Sequence, residues 1–201
     1  MIRLYQTSGS PFCHRVRIVL AEKELDYQTV NIELSKGDHK TEQFLRLNPM
    51  AKVPVLADDD LILGESLLIN EYLNEEYPFP ELLPEEPGHK AQARWWAAQA
   101  DQLVGQSFLK LFFLTQAQER NEPYEAGDFD IMKKNVVKFL EIADRALKGK
   151  EFLAGSYSLA DIAFAPFISR YERYQIQIPE NLTNALAWMK RLSTRHTVVS
   201  T

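Results

Sequence analysis

The hydrophobic period of the chain changes at Ser8-Gly9-Ser10-Pro11-Phe12-Cys13-His14. Before this stretch, apolar and polar residues alternate over residues 2–5, which is typical of a half-buried strand. After it, apolar residues recur at helical spacing over residues 16–20. Proline is favoured in the first turn of a helix, and the hydroxyl of Ser10 directly before it can cap that helix. The sequence therefore predicts a strand, a tight loop and a helix that begins at Pro11.

Further along the chain, the same reasoning predicts a small mixed sheet. The helical spacing that follows Pro11 places the charged side chains on the solvent-facing side of the helix, and these are Arg15, Arg17, Glu22 and Lys23. Alternation over residues 30–34 indicates a second strand, and a hairpin is predicted around a solvated turn at 58–60. A helix over residues 65–77 is closed by Pro78. A strand-helix-strand unit followed by a hairpin and a helix gives a sheet with helices packed on it.

A proline-rich segment marks the domain boundary. Four of the ten prolines lie within residues 78–88, where neither a helix nor a central strand can continue. We predict a first domain over 1–77, a linker over 78–88 and an all-helical domain over 89–201. The second domain is predicted to hold helices over 89–118, 130–147 and 181–192, and one that a capping box opens at Ser158-Leu159-Ala160-Asp161.

Composition excludes several classes of protein. The 201 residues carry a net charge of −5, which disfavours non-specific electrostatic binding to nucleic acid or to an anionic membrane. No apolar run approaches the ~20 residues that span a bilayer, and the start of the chain lacks the pattern of a secretory signal. The single cysteine, Cys13, excludes an internal disulfide and a cysteine-based zinc site, and no histidine pair has metal-ligand spacing. We expect a globular, cytoplasmic protein without a metal.

Three short segments of the sequence are candidates for ligand binding or catalysis. A helix amino terminus at Ser10 stabilises an anion such as a thiolate, to which the serine hydroxyl can donate; on this motif alone, a purely capping role is the better interpretation. Val53-Pro54 is a proline within a strand-like run, where a cis bond and a free strand edge are expected. Glu65-Ser66 precedes a helix and can hold a carboxylate and an amine, or simply cap. Cys13 is expected to be a small buried residue rather than a nucleophile.

Taken in order, these motifs resemble the soluble glutathione transferase family. The residues that carry the resemblance are Ser10-Pro11-Phe12, Leu47-Asn48-Pro49, Lys52-Val53-Pro54-Val55-Leu56, Glu65-Ser66 and Ser158-Leu159-Ala160-Asp161. The Ser-Pro-Phe motif is similar to that of the serine-type classes, tau and more loosely zeta. The resemblance implies a thioredoxin-like α/β domain (βαβ-ββα) followed by an all-α domain, in a bacterial-like member. Glu24 departs from the pattern, because many members have glycine there.

The resemblance also implies roles for individual residues. Ser10 would be the catalytic donor to the glutathione thiolate. The predicted glutathione-binding residues are Lys40 and Lys52 for the glycine carboxylate, Val53 with cis Pro54 for the cysteinyl backbone, and Glu65 and Ser66 for the γ-glutamyl end. The predicted pocket for a small hydrophobic electrophile consists of Phe12, Phe108, Phe112 and Tyr171. Glutathione would be a co-substrate rather than a permanently bound cofactor. A homodimer is implied, with Trp95 or Trp96 at the interface.

Two other functions stay open. Glutathione-dependent isomerisation or dehalogenation would use the same thiolate on a different substrate. The chain also resembles the stringent starvation protein A family, whose transferase-like members bind RNA polymerase, through residues 16–23, Glu71-Tyr72-Leu73 and the proline-rich linker. The Ser-Pro-Phe motif favours the enzyme over this non-catalytic alternative.

Overall fold

The computed structural model describes residues 1–201 and divides them into two compact units. The first unit comprises Met1–Leu82 together with His196–Thr201, and the second comprises Leu83–Arg195. The division falls inside the proline-rich segment 78–88. The last six residues differ from the expectation for 89–201, because they pack with the first unit through hydrogen bonds to its first helix. None of the helices combines the length and the apolar character that a bilayer crossing requires.

The first unit is a four-stranded mixed sheet with helices packed on it. Its elements are β1 (Ile2–Gln6), α1 (Pro11–Glu22), β2 (Tyr27–Asn31), α2 (Glu42–Leu47), β3 (Val55–Asp58), β4 (Leu61–Gly64) and α3 (Ser66–Glu76). The strand order is β2-β1-β3-β4, with β1 and β2 parallel and the other neighbouring pairs antiparallel. The predicted βαβ-ββα arrangement is confirmed.

The second strand lies three residues earlier in the chain than the sequence predicts, over Tyr27–Asn31 instead of residues 30–34. It ends at Asn31, and Leu34, which was expected within it, begins a 3-10 turn. Local hydrogen bonding explains the difference, because the carboxylate of Asp38 accepts the backbone N–H of Glu33 at 2.9 Å and draws the chain into a turn. Gly37 closes that turn with a φ of 81°, a conformation that glycine adopts without steric cost.

Helix α1 has well-formed caps at both ends. The Ser10 hydroxyl oxygen accepts the N–H of Cys13 at 3.3 Å, and Pro11 occupies the first helical position, as predicted. At the other end, Glu24 has a φ of 51°, its N–H donates to Ala21 and the N–H of Leu25 donates to Leu20 at 2.9 Å. This is a Schellman motif, which normally has glycine in the left-handed position that Glu24 occupies.

We therefore expect Glu24→Gly to stabilise the protein by about 1 kcal/mol, since glycine removes the Cβ clash of the left-handed conformation. Urea unfolding followed by tryptophan fluorescence measures the change. Glu24→Ala is the matched control, because it removes the same side chain but keeps the Cβ, and it should give no such gain. Equal stabilisation by both variants would contradict the backbone explanation.

Two cations that were expected on the exposed side of α1 are buried instead. Arg15 is fully enclosed, with its guanidinium carbon 5.2 Å from the centre of the Phe12 ring. Lys23 is buried because its ammonium donates to the carbonyl of Pro80 at 2.8 Å and to that of Tyr77. Burial lowers the pKa of Lys23. Long charged side chains can be buried along their apolar stems, and a pattern of charged and apolar residue types does not reveal this.

The turn of the β3–β4 hairpin is also less solvated than predicted. Asp58 belongs to β3 and is buried, because the hydroxyls of Tyr72 and Tyr77 donate to its carboxylate at 3.0 and 2.6 Å. The turn itself is therefore limited to the exposed Asp59 and Asp60.

The second unit is all helical, as predicted. Its elements are α4 (Pro87–Gln99), a π-helical turn (Ala100–Gly105), α5 (Gln106–Glu119), α6 (Gly127–Ala146), α7 (Leu159–Ile168), α8 (Arg170–Arg173) and α9 (Thr183–Ser193). The single helix expected over 89–118 is thus α4 and α5 joined through the π turn. A short helix α10 (His196–Val199) follows within the last six residues.

The predicted capping box opens α7 and forms part of the core of this unit. The Asp161 carboxylate accepts the N–H groups of Ser158 and Leu153, both at 3.1 Å, and the indole N–H of Trp188 at 2.9 Å. Trp188 is itself packed in the core, where its ring centre lies 5.8 Å from that of Phe164. One buried carboxylate therefore ties the start of α7 to α9.

Candidate active site

Three loops meet at one end of the sheet. In the strand register Tyr5 pairs with Val55, and Val55 pairs with Gly64, so the end of β1, the start of β3 and the end of β4 are neighbours. The loop that carries Ser10 follows β1, residues 53–54 precede β3, and Glu65 follows β4 directly. Ser10, Val53-Pro54 and Glu65 are therefore on loops at the same edge of the sheet.

Ser10 is half-buried at the amino terminus of α1. Its backbone N–H donates to the Thr7 carbonyl at 3.2 Å, which fixes the preceding loop. Its side-chain oxygen accepts from Cys13, and a hydroxyl that accepts one bond still has its own hydrogen to donate. An anion at this helix end would thus meet a hydroxyl donor and the positive end of the helix dipole.

Cys13 is fully buried one turn into α1. Burial raises the pKa of its thiol, and hydrogen bonds to Thr7 and Ser10 and the charge of Arg17 only partly oppose this. A buried neutral thiol is a poor nucleophile, which fits a packing role.

Asn48 organises the loop before β3. Its side-chain amide donates to the Lys52 carbonyl at 2.8 Å, and its side-chain oxygen accepts the Met50 N–H at 3.0 Å. The loop ends in a cis peptide bond between Val53 and Pro54, as the sequence analysis expected. Val53 precedes the first paired residue of β3, so its backbone lies outside both strand ladders. Sequence reasoning noted Asn48 only as part of a motif and missed this positioning role.

Glu65 occupies the position directly before α3 in a strained conformation. Its φ is 66°, which is unusual for a residue with a side chain, and its carboxylate is exposed and makes no capping hydrogen bond. Ser66 begins the helix and is buried. Strain of this kind costs on the order of 1–3 kcal/mol and persists where the surrounding structure holds it, commonly at functional sites.

The predicted lysines lie on the surface of the first unit. Lys40 ends a 3-10 turn over Asp38–Lys40, and Lys52 lies in the loop that Asn48 organises; both are exposed. Next to Lys40, His39 has a buried Nδ1 without a hydrogen-bond partner. The four histidines are scattered along the sequence, so the sequence gives no reason to select His39. The one signal that could have pointed to His39 is its position next to Lys40, a predicted glutathione-binding residue.

The predicted electrophile-binding residues fall in different environments. Phe108 and Tyr171 are buried in an aromatic cluster with ring centres 5.4 Å apart, and burial raises the pKa of Tyr171. Phe112 is exposed, with its ring 5.5 Å from that of Phe113. Phe12 belongs to the first unit and is half-buried. Their role in binding an electrophile stays a prediction.

A mixed βαβ-ββα sheet that carries these loops, followed by an all-helical unit, defines the glutathione-transferase class of fold. Comparison with known proteins agrees. Residues 9–76 match the family model for the glutathione S-transferase N-terminal domain, and residues 106–196 match that for the C-terminal domain. The chain belongs to the glutathione S-transferase family.

Two relatives and one solved structure illustrate its similarities. The chain is 33% identical to maleylacetoacetate isomerase of Rattus norvegicus over 87% of its own length and 80% of the relative's. It is 30% identical to a stringent starvation protein A homolog of Coxiella burnetii over 96% of its own length and 86% of the relative's. A glutathione transferase of Pseudomonas putida, solved with one glutathione disulfide bound per subunit, superimposes with a TM-score of 0.86 at 26% identity, over 98% of this chain and 88% of that one.

Proposed function

We propose that this chain is a serine-type glutathione transferase in which Ser10 holds the glutathione thiolate. The observation that carries the proposal is the half-buried Ser10 hydroxyl at the amino terminus of α1, at the sheet edge shared with Val53 and Glu65. The thiolate attacks an electrophilic carbon and forms a C–S bond. A leaving group then departs with the bonding electrons, or a proton adds where the electrophile is a double bond.

The magnitudes are compatible with this role. A free thiol has a pKa near 8.5, so only a few per cent is ionised at neutral pH. Lowering that pKa by about two units requires roughly 2.7 kcal/mol. A hydrogen bond to a charged group contributes about 1.5–3 kcal/mol and a helix dipole about 0.3–1 kcal/mol. One hydroxyl and one helix terminus therefore suffice.

The rest of glutathione is assigned to the neighbouring loops. The backbone of Val53, held outside the ladders before cis Pro54, would bond the cysteinyl unit. The exposed carboxylate of Glu65 would pair with the amine of the γ-glutamyl unit. The N–H groups at the start of α3, beside Ser66, would donate hydrogen bonds to the carboxylate of that same unit. Lys40 and Lys52 would attract the glycine carboxylate.

A small hydrophobic electrophile is the proposed second substrate, with Phe12, Phe108, Phe112 and Tyr171 kept as its predicted binding residues. Glutathione is a co-substrate in this scheme and is released in the product. Because glutathione is the thiol buffer of the cytosol, a cytoplasmic location is part of the proposal.

A second candidate is glutathione-dependent isomerisation, which the similarity to the rat maleylacetoacetate isomerase favours. In that reaction the thiolate adds to a double bond, the resulting single bond rotates, and elimination restores the thiolate. A non-catalytic interaction role is the third alternative, favoured by the similarity to the Coxiella homolog.

Retention on immobilised glutathione, followed by turnover assays, separates these alternatives. Conjugation of a generic aromatic electrophile supports the transferase, whereas cis–trans isomerisation of an unsaturated diacid without net glutathione consumption supports the isomerase. A protein that neither binds glutathione nor turns over either substrate would contradict both enzyme assignments.

We also propose a homodimer, in which one subunit's first unit contacts the partner's helical unit. Trp96 is 7% exposed and packs against Phe139, whereas Trp95 is 52% exposed, so Trp95 is the interface candidate. On the first unit, Leu68 is 56% exposed. Exposed large apolar side chains of this kind are typical anchors of interfaces.

Trp95→Glu is expected to weaken the dimer by on the order of 30-fold in Kd, corresponding to about 2 kcal/mol for the loss of an interface anchor. Sedimentation equilibrium at micromolar concentration measures the shift. Phe79→Glu is the control, because Phe79 is 85% exposed on the linker and is not assigned to the interface. A parent protein that sediments with the mass of one chain would contradict the dimer.

A further inference from the structure

Arg17 joins α1 to the end of β1. Its guanidinium donates one hydrogen bond to the side-chain oxygen of Gln6 and a second, from Nε, to the main-chain oxygen of Thr201 at 2.9 Å. The side chain is half-buried in the first unit. The charge pattern of α1 predicts a solvent-facing Arg17, and the proposed chemistry of Ser10 assigns this side chain no role.

The Gln6 end of this bridge lies directly beside the loop that presents Ser10. Gln6 is the last residue of β1 and is buried; its carbonyl accepts the N–H of Ile32 at 2.7 Å. The next residue, Thr7, accepts the N–H of Ser10. The bridge from Arg17 to Gln6 therefore clamps the two elements that flank the loop over residues 7–10.

Arg17 also lies on the same side of α1 as Ser10. The two positions are seven residues apart, which is two helical turns and about 10 Å along the axis. Long side chains on a helix point back towards its amino terminus, so the guanidinium is displaced towards Ser10. Its charge reaches the first turn, because it acts to lower the pKa of Cys13 against the larger effect of burial.

The last six residues hold the other side of the guanidinium. Besides the bond from Arg17 to Thr201, the His14 ring nitrogen Nε2 lies 3.1 Å from the Val198 carbonyl, and the Thr197 hydroxyl donates to Glu22. The titratable groups that act on the charge of Arg17 are Cys13 on α1 and Tyr27 on β2, while His14 and Glu22 on α1 hold the same final segment. Burial lowers the pKa of Arg17, but a guanidinium stays charged in proteins.

We propose that Arg17 is a positioning residue for the glutathione thiolate: it clamps the loop that carries Ser10 between β1 and α1, and it adds a fixed positive charge behind the thiolate site. The inference rests on the proposed function, since it assigns the thiolate to Ser10. It extends the proposed site to a residue outside the three loops. In this proposal, the final residues 196–201 hold the guanidinium in place.

The test compares Arg17→Met with Arg17→Lys. Methionine keeps much of the length but removes the charge and both hydrogen bonds, and lysine restores the charge. Glutathione is the probe, and the ultraviolet difference absorbance of its bound thiolate is followed against pH. We expect the pKa of bound glutathione to rise by about one unit in Arg17→Met, with kcat/KM at neutral pH falling about tenfold, and we expect partial recovery in Arg17→Lys.

Arg3→Met is the matched control, because Arg3 is an exposed cation on β1 and its loss changes the net charge equally. In Arg3→Met, the pKa of bound glutathione should equal that in the parent protein. Should Arg17→Met fail to fold, Gln6→Met removes the same clamp from the strand side and should also raise the thiol pKa. An unchanged titration in the folded variants, or an equal shift in Arg3→Met, overturns the inference alone. A parent that forms no bound thiolate overturns the proposed function and this inference with it.

Discussion

Replacing Asp161 with alanine is expected to lower the free energy of unfolding by about 4 kcal/mol. The variant leaves three buried N–H donors, from Leu153, Ser158 and Trp188, without their acceptor. Each unsatisfied buried donor costs about 1–3 kcal/mol, and loss of a buried hydrogen-bonded network is among the few mechanisms that produce effects this large. Urea unfolding followed by tryptophan fluorescence measures the loss.

Asp144→Ala is the control for the stability experiment. Asp144 also caps a helix, since it accepts the N–H groups of Asn184 and Ala185 at 2.8 and 3.0 Å, but it is only half-buried. Its removal should cost about 1 kcal/mol, as ordinary caps do. Equal losses in the two variants would show that burial of Asp161 adds nothing.

The same carboxylate makes stability depend on pH. Burial raises the pKa of Asp161 to about 6 in the folded protein, above its ordinary value of 3.8. The folded state therefore holds this proton more tightly than the unfolded state, so the contribution is complete below about pH 4 and is lost as the pH rises through 6. Relative to Asp161→Asn, which does not titrate, the parent should lose on the order of 3 kcal/mol between pH 4 and pH 7.

Ser10→Ala is expected to raise the pKa of bound glutathione by one to two units and to lower kcat by about 10- to 100-fold. The thiolate keeps the helix dipole but loses its only side-chain donor in the proposed site, and a hydrogen bond to a charge is worth about 1.5–3 kcal/mol. The fold should survive, because losing this cap costs about 1 kcal/mol. Thiolate absorbance against pH and turnover of a generic electrophile are the two measurements.

Two further variants sharpen the Ser10 experiment. Ser8→Ala removes an exposed hydroxyl from the same loop and should titrate like the parent. Cys13→Ser should retain most activity, because the thiol is buried. Abolished turnover in a folded Cys13→Ser protein that still binds glutathione would move the catalytic role from Ser10 to Cys13.

The parts of the fold that the sequence predicts well are those set by local chemistry. The start of α1 at Ser10-Pro11, the capping box of α7 and the cis bond at Pro54 each depend on residues within a few positions of one another. Whether a segment is a strand or a helix also depends on nearby residues, so the periodicity of apolar residues predicts it. The end of β2 is an exception, because it depends on a hydrogen bond from the Glu33 N–H to the Asp38 carboxylate, which periodicity does not reveal.

The features that the sequence could not predict depend on contacts between distant segments. Lys23 is buried because carbonyls some 55 positions later accept from its ammonium, and Arg17 is held by a residue 184 positions away. Trp95 and Trp96 are adjacent on one helix, and only tertiary packing decides which of them faces the core. In the candidate site, Asn48 acts through backbone bonds that residue type alone does not specify.

The π-helical turn at Ala100–Gly105 has a consequence for comparing and re-engineering related chains. A π turn holds one more residue than the α-helical turn that it replaces, so every residue after it is rotated by about 100° relative to an uninterrupted helix. The direction in which α5 displays Phe112 and Phe113 therefore depends on this turn as well as on the residues of α5 itself. An ungapped alignment with a relative that lacks this turn would pair residues facing different directions, and a single deletion here would redirect the whole helix without changing any of its side chains.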